Sequence, residues 1–305
     1  MEMKLNGVAR LAHLGVIRVE GVDAASFLQS QLTQDFMSLG PSQARLAAYC
    51  SAKGRMLASF YGFKRNQTEI VLVCSRDLLA DTIKRLSMFV LRAKVRLTDA
   101  TDDFALFGLA GDAIESIAGV DCPAWSRLDI GHGSAVVLPV ADGVQRALWV
   151  GATAEVPPGA VALSQQAWAW GEVRSGVAMI NASIVEAFVP QMLNYESIGG
   201  VSFKKGCYPG QEVVARSQFR GTLKRRAFLA HAEVRMQPGD EVFQSGDDTQ
   251  PCGTVAQAAA SPVGGFDAIV SMQIAAAESG SVHLTTVDGP TLTIAPPPYP
   301  LLADI

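Results

Sequence analysis

Cys207 has surroundings that suggest chemistry more than packing. It lies in Lys204-Lys205-Gly206-Cys207-Tyr208-Pro209-Gly210-Gln211-Glu212: a thiol between two glycines, with two cations before it and an amide and a carboxylate after it. Cysteine prefers burial, whereas Lys, Gln and Glu prefer water. Glycines on both sides permit backbone angles closed to other residues and let a ligand approach the main chain. Cations beside a thiol favour the thiolate, which is the nucleophilic form. The bland alternative is a glycine-rich turn between strand and helix whose cysteine fills a small apolar space; the local composition favours the reactive reading.

Other groups could serve the same centre. From Lys204 to Arg226 the chain carries Lys204, Lys205, Arg216, Arg220, Lys224, Arg225 and Arg226 against one acid, Glu212. In an acidic protein this is a local reversal of charge, suited to a polycarboxylate tail, a phosphate or an RNA backbone, or else a solvated basic face. Gln191 and Asn194 offer paired donors and acceptors that fit a heterocycle edge or cap a loop. Asp102 and Asp103 stand before a strand, where a carboxylate receives amino hydrogens of a ligand or caps the strand.

The elements that position these groups are of both kinds. Strands are expected over 16–19, 46–50, 56–63, 69–74, 94–98 and 104–109, with the second and third joined by a glycine hairpin at 51–54. Helices are expected from Asp23 to about Gln34, from Asp77 through Val90, over 112–118, and after Ser164. Strands and helices intersperse without strict alternation, which favours α+β over a doubly wound sheet. After a boundary near Leu223 the pattern becomes all-β: alternation over 228–234, a turn at Pro238-Gly239-Asp240, strands over 241–243, 253–258 and 282–287, and the hairpin signal Asp288-Gly289. Pro296-Pro297-Pro298 suggests a polyproline-like tail.

The whole chain sets outer limits. It has 305 residues, 49% hydrophobic and 18% charged, with net charge −4. That describes a globular protein of two or three domains rather than a disordered or nucleic-acid-coating one. No apolar run reaches the ~18 residues of a membrane span, and Met1 to Arg10 has neither a secretory signal nor a transit peptide. A cytoplasmic protein without a membrane partner is expected. The five cysteines are odd in number and contain no C-x-x-C pair, against a disulfide framework or zinc ribbon. No metal site is expected. Phosphate loops of the Walker and dinucleotide types are absent, as is a nucleophile elbow.

The residues around Cys207 resemble the signature of the folate-binding YgfZ family, which is related to the T-protein (aminomethyltransferase) of the glycine cleavage system. The likeness runs through Pro190-Gln191-Met192-Leu193-Asn194, Ile198-Gly199-Gly200-Val201-Ser202-Phe203, Lys204 to Glu212, Val214-Ala215-Arg216 and Arg220-Gly221. Weaker similarity begins at Ile17 and includes Asp23, Phe27 and Lys53-Gly54-Arg55. The resemblance implies a three-lobed α+β core over 1–223, holding tetrahydrofolate in a central channel, and a C-terminal antiparallel β-barrel over 224–305. It implies Cys207 as the working thiol. Asp102, Gln191, Asn194, Lys205, Gly206, Tyr208, Gly210, Gln211, Glu212 and Arg216 are the implied ligand-binding residues. The implied role is an accessory one toward iron–sulfur enzymes or their assembly proteins, with tRNA involved only indirectly.

Two departures bear on function. Where T-protein has Asp in its signature, this chain has Cys207. Where T-protein carries the Glu expected to hold the pterin, the aligned residues are Arg174-Ser175-Gly176, and an arginine accepts no hydrogen bond. Two other readings therefore stand beside the first: a tetrahydrofolate-dependent aminomethyltransferase, and a tRNA- or protein-binding module acting through residues 216–226 without chemistry.

Overall fold

A computed structural model describes residues 4–119, 122–157, 161–219, 223–246 and 249–302. The chain opens with β1 (Gly7–Arg10), β2 (Leu14–Glu20), α1 (Ala24–Gln31), β3 (Ala44–Cys50), β4 (Met56–Lys64), β5 (Glu69–Ser75), α2 (Leu79–Ser87) and β6 (Arg96–Asp99). It continues with β7 (Phe104–Ala110), α3 (Asp112–Ala118), β8 (Arg127–Ile130), β9 (Gly133–Ala141), β10 (Val144–Ala152), α4 (Gln165–Arg174) and α5 (Gln211–Phe219). The last part holds β11 (Arg225–Ala232), β12 (Glu241–Gln244), β13 (Gly253–Ala260), β14 (Phe266–Gln273), α6 (Ile274–Ser279), β15 (Val282–Leu284) and β16 (Thr293–Ala295).

These strands form three antiparallel sheets, ordered β3-β4-β5-β2-β6, β1-β7-β10-β9-β8 and β15-β12-β13-β14-β11-β16. The first two interleave in sequence, because β1 leaves the first sheet's run and joins β7 in the second. The main core runs from the first sheet under α4 to β11 and β13, while the third sheet also has a core of its own around Val242, Val255 and Val270.

Several elements differ from the sequence reading. α1 ends at Gln31 because Leu32 is extended and bridges Tyr49, while Thr33 exchanges hydrogen bonds with Ala48 on β3. Asp23 makes no side-chain cap; its carboxylate accepts the Lys94 N–H at 2.7 Å. β14 lacks the alternation that reveals a half-buried strand, since six consecutive residues are buried. The break that Pro157-Pro158-Gly159 implies in the sequence lies partly outside the described residues.

The C-terminal region is antiparallel β. β15 and β16 stand at the two ends of its strand order. The segment between them pairs with β15 through Thr291 and Leu292, then with β11 through 293–295. The residues after Ala295 return to the core: the Tyr299 hydroxyl donates to Gly176 O at 2.8 Å, the Leu302 N–H donates to Ser197 Oγ at 3.0 Å, and Leu302 O accepts from Arg226 at 3.1 Å. No helix among the described residues is long and apolar enough to cross a membrane.

Candidate functional site around Cys207

The hairpin that follows Cys50 is the seat of the Cys207 loop. It is closed by Ser51 N–H to Arg55 O at 2.8 Å and Gly54 N–H to Ser51 O at 2.9 Å. Gly210, at φ +79°, lies so close that a Cβ there would sit 2.4 Å from Ser51 O and 2.7 Å from Gly54 Cα. Only glycine allows this backbone-to-backbone approach at that angle. α5 begins immediately afterwards, and the Gln211 N–H donates to Tyr208 O at 3.2 Å. Cys207 is thus carried on the turn that enters a helix. It is exposed, and a Cβ at its neighbour Gly206 would meet nothing within 4 Å.

Lys205 holds the turn from the other side. Its ammonium donates to Gln29 O and, at 2.7 Å, to Leu32 O, at the C-terminal end of α1. Helix-end carbonyls lack partners within the helix and favour a cation. The ammonium also stands 4.5 Å above the Tyr208 ring. Burial pulls Lys205 down to about 8, while the charges of Asp35 and Cys207 work the other way. Lys205 is therefore an anchor that also feels the thiol. Lys204, by contrast, is exposed and lines a cavity of about 410 Å³ with Gln34, Arg45, Trp125 and Gly199.

The other expected residues have diverse settings. Tyr208 is buried, and burial pushes its phenol above the usual range. Gln191 donates to Val214 O at 2.7 Å, leaving a buried Oε1 without a partner. The Asn194 amide is taken up by the third sheet: Nδ2 donates to Ala227 O at 2.9 Å, and Oδ1 accepts the Ala227 N–H at 3.3 Å. Glu212 and Arg216 pair with each other at 2.7 Å on the surface of α5. Asp102 stands apart, in a cavity of about 180 Å³ with Arg10, Arg76, Thr101 and Thr153, whose lining includes nothing from 190–216.

The basic run is not one surface. Arg225 donates to Cys252 O and Pro251 O, and Arg226 forms a buried pair with Glu196 at 2.7 Å. Arg220 lies outside the described residues. Arg174 makes a two-pronged pair with Asp142, whose carboxylate raises the guanidinium pKa.

A second polar centre had no signal in the sequence. Glu172, two residues before Arg174 on α4, accepts from Trp168 Nε1 at 2.9 Å and Gln257 Nε2 at 3.3 Å, with His13 Nε2 at 3.6 Å. The fully buried Arg146 lies with its guanidinium 5.1 Å over Trp168 and donates to Pro139 O at 3.2 Å. Its Nε and Nη1 are buried without acceptors. Burial lowers its pKa, opposed by Glu172 and Tyr61. Here the N-terminal strands, α4 and the third sheet meet.

Residues 4–141 match the family model of the GCVT N-terminal domain. Among solved structures, the chain is similar to the glycine cleavage system aminomethyltransferase T from Bartonella henselae, with a TM-score of 0.69 at 13% identity, covering 96% of this chain and 86% of that one. A heterotetrameric sarcosine oxidase from Corynebacterium sp. U-96 also matches, with a TM-score of 0.29 at 14% identity over 48% of this chain and 75% of that one. The fold is GcvT-like, of mixed α/β type with several antiparallel sheets.

Proposed function

We propose that this protein is a tetrahydrofolate-binding accessory factor of the YgfZ type, serving the biogenesis or repair of iron–sulfur proteins in the cytoplasm. The observation that carries this reading is the exposure of Cys207 on a glycine-bounded turn at the start of α5. Of the other four cysteines, Cys50, Cys74 and Cys252 are buried and Cys122 is half-buried. A thiol in this position is offered to a partner.

The interior fits a folate in one respect. Arg146 has two buried N–H groups that lack acceptors, next to the Trp168 face and the Glu172 carboxylate. Buried donors of this kind call for a carbonyl oxygen or a water. Arg146 would donate to a pterin carbonyl, and Glu172 would take the amino-group role that Arg174 cannot perform. A reduced folate would supply a carrier nitrogen for one-carbon units. The chain's own part is to present Cys207 as a nucleophile or as a transient ligand to iron, with Lys205 fixing the turn. A closed β-barrel over 224–305 belongs to the same proposal.

Cys207→Ser should fold normally yet fail to restore an iron–sulfur enzyme in cells lacking the protein; full rescue refutes the thiol role. Titration of tetrahydrofolate followed by tryptophan fluorescence tests the cofactor separately, and Arg146→Met should abolish that response. The GcvT-like fold across 96% of the chain also favours a second reading, an aminomethyltransferase. Formation of methylene-tetrahydrofolate from a methylamine-loaded carrier would establish it.

A further inference from the structure

Helix α2 has a flank with no partner. Its buried residues Leu79 and Leu86 pack inward. Its outer side walls a cleft of about 350 Å³ lined by Tyr49, Leu57, Leu78 and Met88, with Lys84 and Arg85 as its cations and Asp81 as its one acid. Beyond the helix the chain turns outward, and Met88 is 62% exposed, Phe89 46% and Leu91 86%. Three large apolar side chains within four residues, next to an apolar cleft, form a patch rather than the single scattered residues normal on surfaces.

Charge along this stretch of the chain is equally one-sided. Between Asp81 and Asp99 the chain carries Lys84, Arg85, Arg92, Lys94 and Arg96 and no acid. All five are exposed, and none forms an ion pair among the described residues. A two-fold contact with a second copy would set these cations against themselves. A flat lipid surface would leave the cleft unfilled. An acidic segment carrying an apolar side chain satisfies both the charge and the concavity.

We propose that this cleft and the 88–91 tip dock an acidic, amphipathic segment of a partner protein. An apolar side chain seats among Tyr49, Leu57 and Met88, while carboxylates face Lys84, Arg85 and Arg92. Tyr49 stands on β3, which ends at Cys50, and the Cys207 loop rests through Gly210 on Ser51 and Gly54 just beyond it, so the docking face and the Cys207 loop flank one strand end. The docking itself does not require the folate reading.

The test uses the full chain and a fluorescein-labelled helical peptide with leucine on one face and glutamate on the other, read by anisotropy. Binding is expected at low salt and should fall at least tenfold toward about 0.5 M NaCl. Lys84→Glu/Arg92→Glu/Lys94→Glu should weaken it by about tenfold or more, and Leu91→Ser by roughly threefold. All these positions are exposed, and unchanged thermal melts would show the variants folded. No binding, or equal binding of the lysine counterpart of the peptide, overturns the proposal. So does sedimentation with phosphatidylglycerol vesicles without peptide binding, or a concentration-dependent dimer that these substitutions abolish.

Discussion

Residues 190–198 and 204–212 carry the same family resemblance, yet the fold uses them in opposite ways. In the first stretch the polar groups are drawn inward. Gln191, Asn194 and Glu196 are all buried, and they fasten α5, β11 and Arg226 respectively. In the second, Cys207 and Gly206 face solvent, held in place by the inward-turned Lys205 and Tyr208 on either side. A conspicuous motif can thus be part joint and part tool. The residue types do not separate the two, because both halves mix amides and carboxylates. Burial and hydrogen-bond partners do.

The difference can be broken most severely at Glu196. Glu196→Gln should remove the buried carboxylate charge that faces the Arg226 guanidinium and cost about 3 kcal/mol, read as a lowered urea midpoint with an unchanged m-value. Gly210→Ala should come next, at about 2 kcal/mol, since its Cβ would strike Ser51 O and the angle is left-handed. It should also disturb the Cys207 turn. Cys207→Ser should shift the midpoint by less than about 0.5 kcal/mol while removing rapid alkylation by iodoacetamide. Cys50 and Cys74, pushed up to about 12 by burial, should stay unmodified until the protein unfolds. Smallest of all, Glu212→Gln should change stability by only about 0.3 kcal/mol, because its partner Arg216 is exposed and four residues away on a helix. A large loss there would show that the open half of the signature is structural after all.

The sequence made the open half legible because glycines and charges around a thiol are costly to explain by packing. The hairpin at 51–54, the helix beginning near Asp112 and several strands after residue 223 were legible from turn residues and alternation, whereas the short helix α6 among those strands was not. The inward half was not, because an amide bonded to a distant backbone looks like any other amide. β14 was hidden by burial on both faces. The centre at Arg146 and Glu172 was hidden because those residues are 26 positions apart and share no pattern, meeting only where the sheets converge. Asp102 shows the converse: the resemblance suggested that it serves the same site as Cys207, and the fold places it in a cavity whose lining includes nothing from 190–216.

The stretch beyond Ala295 looks dispensable by composition, being proline-rich and mostly exposed. Yet Tyr299 also receives the Asn194 amide at 3.3 Å while reaching Gly176, 123 residues upstream. A protease nick or premature stop after Ala295 would therefore unfasten the middle of the chain, and its damage would be felt at the junction of α4 and β11 before any strand was lost.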